Sequence, residues 1–142
     1  MFKGLEAVRT DWTPLAREFQ RELYARIFTD KPVDELIRTT TTKLLAGELD
    51  EKLVYRKRLR RKLSDYQRNV PPHVQAARKS AHPQRWINYV LTVQGPEPSE
   101  ERVSDFDYQH YVDKQLAPVA DGILHFLNSS YHSVVSNQIE LF

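Results

Sequence analysis

No cysteine occurs in the 142 residues, which excludes disulfide scaffolds, thiolate nucleophiles, Cys-zinc sites and thiol redox chemistry together. Glycine is scarce, at four, and no glycine-rich stretch has the spacing of a nucleotide-cradling loop. Apolar runs are only a few residues long, so no segment reads as a membrane span. The opening Met1-Phe2-Lys3-Gly4-Leu5-Glu6 lacks the apolar stretch of a secretory signal, and the expectation is a cytoplasmic protein. What is present fits one globular domain: 40% hydrophobic and 28% charged residues, in a length that allows roughly 70% of the unfolded surface to be buried.

The net charge of +2 conceals a strong segregation. Residues 1–50 carry eight basic and nine acidic side chains, and residues 91–142 carry two and eight. The middle stretch, 51–90, carries eleven basic and two acidic side chains, a net +9. Such a block is the electrostatic footprint of a polyanion partner. The competing reading is internal neutralisation, with the acidic third folded over the basic one.

The pattern predicts a mainly α chain with a small β element, an α+β fold. Thr13 and Pro14 have the N-cap and N1 chemistry of a helix start, followed by Leu15, Phe19, Leu23 and Ile27 on one stripe. Asp30-Lys31-Pro32 ends that helix. A second runs from near Pro32 through Leu36, Ile37, Leu44 and Leu45 to Gly47 as its C′ residue. Its centre, Thr39 to Thr42, reads as a solvated, slightly weak helix rather than a phosphorylation or nucleotide site. Leu53 to Leu59 reads as a short strand, Leu63 to Tyr66 and His73 to Ala81 as short helices, and Trp86 to Val93 as the best strand. Pro96 to Ser104 reads as a loop. From Asp105 the pattern is helical, with Pro118 at a kink or N1 position, a last short helix over Asn128 to Val135, and a tail too short to form an element.

The strongest chemical signal is Arg56-Lys57-Arg58-Leu59-Arg60-Arg61-Lys62, six cations in seven residues, followed by Arg68, Arg78, Lys79 and Arg85. Alternate strand residues share a side, so several of these cations can meet one phosphate backbone. Tyr55 and Tyr66 flank the run, and His73 could touch a phosphate or simply cap a helix. Asp105-Phe106-Asp107 has the look of a metal pair for phosphoryl transfer, but its place before a helix favours N-capping. His125 and His132 have no third ligand at a suitable spacing, and Ser129-Ser130 has no nucleophile context. No active site assembles from these residues. The ending Gln138-Ile139-Glu140-Leu141-Phe142 either packs on its own domain or docks in a partner's groove.

Several stretches taken together resemble the C-terminal part of family B DNA polymerases, bacterial members above all. They are Lys3-Gly4-Leu5-Glu6 with Val8 to Pro14, Leu53 to Leu59 with Tyr66, Val70-Pro71-Pro72-His73-Val74, and Tyr89-Val90. Gly95-Pro96-Glu97-Pro98, Asp107 to Tyr111, Gln115, Pro118 and Gly122-Ile123-Leu124 complete the set. The resemblance implies that residues 1–12 form the junction with the palm, 13–137 a helical thumb, and 138–142 a bacterial sliding-clamp-binding peptide. It implies primer–template duplex DNA as partner, gripped by Tyr55, Arg56, Lys57, Arg58, Arg60, Arg61, Tyr66 and His73. It likewise implies clamp contacts through Gln138, Ile139, Leu141 and Phe142, and docking of the remaining polymerase domains. Those domains hold the catalytic residues and the magnesium of the intact enzyme, so this chain would need no cofactor, would bind without polymerising, and would work at the bacterial nucleoid. The interval from Arg78 to Trp86 is shorter than the resemblance leads one to expect. Phe2, Leu5 and Trp12 would then form an apolar surface left open without the palm. Outside the resemblance, the alternative is a free-standing protein-binding adaptor with an internally neutralised basic segment.

Overall fold

The computed structural model describes the backbone of residues 12–140 and the side chains of 12–136. Helix α1, Pro14–Phe28, starts as its sequence dictates: Thr13 is extended, and its Oγ1 accepts the Ala16 N–H at 3.3 Å. Leu15, Ala16, Phe19 and Leu23 form its buried stripe. Asp30, at φ +56°, ends it, with the N–H groups of Asp30 and Lys31 donating to the carbonyls of Ile27 and Arg26. Helix α2, Asp34–Leu45, ends in the same Schellman geometry around Gly47 at φ +81°. There the N–H groups of Gly47 and Glu48 donate to Leu44 and Lys43 at 3.1 and 3.0 Å. The threonine run is solvated except at Thr41, which is buried and bonds both the Ile37 carbonyl and the Tyr131 hydroxyl.

Three antiparallel strands follow: β1, Tyr55–Arg58; β2, Trp86–Thr92; and β3, Gly95–Pro98, in the order β1-β2-β3. The predicted loop at Pro96 is therefore an edge strand, with Pro96 opposite Leu91 and Pro98 opposite Tyr89. Helix α3, Pro72–Lys79, packs against β2 and β3. Between β1 and α3 the predicted short helix is a 3₁₀ turn, Leu63–Asp65.

Asp107 caps α4, Tyr108–Tyr111, accepting the His110 N–H at 3.1 Å. A π-helical turn, Val112–Leu116, joins it to α5, Ala117–Leu124. The wide turn lies just before Pro118, which cannot donate to an ordinary helical ladder. Gln115 sits in this turn, and its Oε1 accepts from both the N–H and the hydroxyl of Thr13, at 2.9 and 2.8 Å. That contact fastens the start of α1 to the C-terminal helices. Helix α6 runs Tyr131–Glu140, later and longer than the sequence pattern suggests. Asn128, at φ +55°, closes the preceding helical segment, and the Ser130 Oγ accepts the Ser133 N–H at 3.1 Å to open the new one. Asp121 Oδ1 accepts the Tyr131 N–H at 2.7 Å.

The core joins these helices to one face of the sheet. Tyr55 stacks between Tyr89 and Tyr111, with ring centroids 5.1 and 5.7 Å away. The Tyr111 hydroxyl donates to the Leu53 carbonyl at 2.7 Å and accepts the Leu91 N–H at 2.9 Å. Burial pushes that phenol far above its ordinary range. Among the described residues no helix is long and apolar enough to cross a membrane.

Candidate nucleic-acid interface

Strand pleating sorts the basic run. Arg58 faces Trp86 across the β1–β2 ladder, and Arg56 faces Asn88, so both arginines share the side of the sheet that carries the indole. The Arg56 guanidinium lies over the Trp86 ring, 4.7 Å from its centroid. A backbone bond from Leu59 to Arg85, at 2.7 Å, carries the pairing one step past the strand. Beyond it the chain turns away, so Arg60, Arg61 and Lys62 lie on a loop rather than on a continued strand.

These residues wall a cavity of about 650 Å³; Arg17 of α1, one of whose guanidinium nitrogens donates to the Trp12 carbonyl at 2.8 Å, joins Arg58, Arg60 and Arg85 around it. An adjoining open depression of about 870 Å³ continues past Arg61 and Lys62 and shares Leu59, Arg60 and Arg85 with the first. Every ionisable group lining the first cavity is a cation. Arg56, Lys57, Arg58, Arg60, Arg61 and Arg85 are all exposed, and among the described residues none pairs with a carboxylate. Unneutralised guanidinium groups side by side are held together only by the fold, and an anion is the ligand that relieves their repulsion.

Five carboxylates of the acidic third are occupied elsewhere. Asp107 and Asp121 receive helical N–H groups, Asp113 accepts from Gln109, and Glu101 accepts the Ala81 N–H. Glu97 is buried, which by itself would raise its pKa. Bonds from the Ser104 side chain, the Val103 and Ser104 N–H groups and Thr92 outweigh that and pull it down to about 2. These carboxylates complete turns and caps; they do not cover the basic run. Among the described residues no three His, Asp or Glu side chains gather as metal ligands.

Three residues read from the sequence as DNA contacts, Tyr55, Tyr66 and His73, are buried. Tyr55 is buried in the tyrosine stack, and its hydroxyl bonds His110 Nε2 at 2.7 Å. Tyr66 is buried beneath Arg61, whose guanidinium sits 4.5 Å from the ring centroid. His73 is buried in α3 with its Nδ1 unpartnered, and burial, helped by Lys57, lowers its pKa. Arg78 and Lys79 are also engaged. Arg78 donates to the carbonyls of Leu63 and Tyr66, and Lys79 to that of Pro96 at 2.8 Å. Conversely, the pattern of the sequence did not bring Arg17 to this surface or expose Trp86. The signal for Trp86 was only partial: strand parity sets it opposite the buried Ile87 and Tyr89, but Val90 and Thr92, which share its parity, are buried too.

The family model for DNA polymerase family B matches residues 1–126. The chain belongs to the family B DNA polymerases. It is 54% identical, over 154 aligned positions and its whole length, to DNA polymerase II of Escherichia coli, of which it covers 20%. It is 36% identical to DNA polymerase 2 of Aeropyrum pernix, over 87% of this chain and 17% of that protein. With the DNA polymerase of Pyrococcus horikoshii the identity is 30%, over 86% of this chain and 11% of that one. The chain thus spans about a fifth or less of these family B polymerases. Of the expected clamp contacts, Gln138 and Ile139 lie on the backbone of α6, while Leu141 and Phe142 fall outside the described residues. Phe2 and Leu5 also fall outside them; Trp12, expected on an open apolar surface, is buried.

Proposed function

We propose that this chain is the duplex-gripping thumb of a bacterial family B DNA polymerase. Residues 13–137 form the thumb, 1–12 lead from the palm, and 138–142 dock on a bacterial sliding clamp. The observation that carries the reading is the continuous exposed band of Arg56, Lys57, Arg58, Arg60, Arg61 and Arg85, with no carboxylate partner among the described residues. Such a band suits the phosphate backbone, where contacts position the protein on the duplex without reading sequence. Among the described residues no three His, Asp or Glu side chains gather as a metal-ligand set. On this reading magnesium and the chemical step belong to the remaining polymerase domains, and this chain alone binds duplex without polymerising.

Duplex affinity measured across salt concentrations tests the reading. Affinity should be insensitive to sequence and fall steeply with salt. Replacing Arg56, Arg58, Arg60 and Arg61 by Ala should flatten the log–log slope by about 0.9 for each phosphate no longer neutralised. An unaltered slope in the fourfold variant would show that these cations serve the fold and not DNA.

A further inference from the structure

Along the side of a duplex an indole finds no base face to stack on, because interior base pairs are stacked on both faces. Yet Trp86 is 48% exposed, within the arginine-lined cavity of about 650 Å³. Its place there is enforced twice. Strand parity sets it opposite the buried Ile87 and Tyr89, and the Arg56 guanidinium lies over part of its ring system. A second, smaller cavity of about 120 Å³ also borders Trp86, and there Glu100 and Glu101 join Ser80, Pro83 and Asn88, so the indole divides an acidic hollow from the cationic cavity, which is the side left to a phosphate. Aromatic ring, stacked guanidinium and surrounding cations are together what a single unpaired nucleotide requires: a platform for the base and charge for its phosphate. The cavity volume lies within the range of small-ligand sites.

We propose that Trp86 and Arg56 form a stacking site for one unpaired DNA nucleotide, with Arg17, Arg58 and Arg85 holding its phosphate. The site distinguishes a frayed or flapped strand end from an intact duplex. The proposal rests on the duplex-binding reading for its setting, since the same arginine band would deliver the strand end to the indole.

The test uses the full chain with two probes: a blunt duplex, and the same duplex ending in a few unpaired thymines. Trp12 is buried and Trp86 is not, so binding at the site should quench the exposed component of tryptophan emission. Quenching is expected with the unpaired thymines and not with the blunt duplex. W86A should weaken binding of the frayed probe about 5- to 150-fold, the contribution of one base–aromatic stack, and the blunt probe less than about twofold. W86F should keep part of the preference, which separates stacking from loss of fold. If W86A weakens both probes equally, the indole only props Arg56 against phosphates and the proposal is wrong. It is equally wrong if neither probe alters Trp86 emission, in which case the indole belongs to a contact with another polymerase domain. Failure of the blunt duplex to bind while the frayed one does would instead overturn the duplex reading and leave this one standing.

Discussion

Glu97 shows how much one side chain carries here. Its carboxylate, buried on the edge strand, draws together Thr92 at the hairpin and the backbone of Val103 and Ser104, at 3.1, 2.8 and 3.2 Å. The donors bond the ionised form, so its pKa falls from 4.5 to about 2 on folding. A pKa lowered in the folded state adds stability that is complete above the unfolded value and vanishes as the pH drops through the folded one. Melting temperature should therefore decline between about pH 4.5 and pH 2. E97Q should remove part of that decline while lowering stability at neutral pH. Identical acid profiles for the two proteins would show that the ring of donors does not hold the charge. Nothing in the sequence announced this role, because the partners of Glu97 come from a loop whose path only the fold defines. The basic run was legible for the opposite reason: six cations in seven residues cannot all be hidden. What could not be read was which aromatic neighbours stay outside, since β2 buries residues of both parities and Trp86 is exposed only because it lies at the strand's open end.

At the level of elements, legibility followed local chemistry. The N-cap Thr13, the proline after it and the Schellman glycine at position 47 are each decided within a few residues, and α1 and α2 formed where they pointed. The third strand escaped because Gly95-Pro96-Glu97-Pro98 has loop composition; an edge position lets its prolines forgo donation to a neighbour. The start of α6 escaped because Asn128, which the pattern places inside the helix, sits instead in the left-handed region. Gly47 allows a direct measurement of how far such local signals reach. A methyl group there would meet the Tyr108 hydroxyl at 3.2 Å, and φ +81° is unfavourable for any L side chain. That hydroxyl also donates to Asp50 at 2.8 Å, so it has little room to withdraw. G47A should cost about 1–2 kcal/mol, visible as a melting temperature lowered by a few degrees. G47N, better suited to positive φ, should cost less. Equal stability in all three proteins would mean that the α2 terminus relaxes freely and that its cap is not what sets the following turn.

Among the described residues, charge is divided by use: several acids finish helices and turns, while Arg56, Lys57, Arg58, Arg60, Arg61 and Arg85 face solvent. On the proposed reading this surface would grip any duplex, and a sequence-blind grip would gain from a second attachment. The Gln138-Ile139-Glu140-Leu141-Phe142 ending supplies a candidate. Helix α6 carries the backbone through Gln138 to Glu140, so an extended docked form requires its last turn to unwind. Terminal helical turns open at almost no free-energy cost, and a partner groove can hold the opened segment. In the proposed docked form, burial of Leu141 and Phe142 would contribute roughly 3–6 kcal/mol together, and Ile139 with hydrogen bonds from Gln138 would bring the dissociation constant near the micromolar range. Removing Leu141 and Phe142 should abolish binding to a bacterial sliding clamp and leave duplex affinity and its salt slope untouched. Measuring the melting temperature of the same truncated chain completes the test. A drop of several degrees, in a protein whose full-length form never bound the clamp, would make the ending a structural part of the helical bundle and refute the docking role.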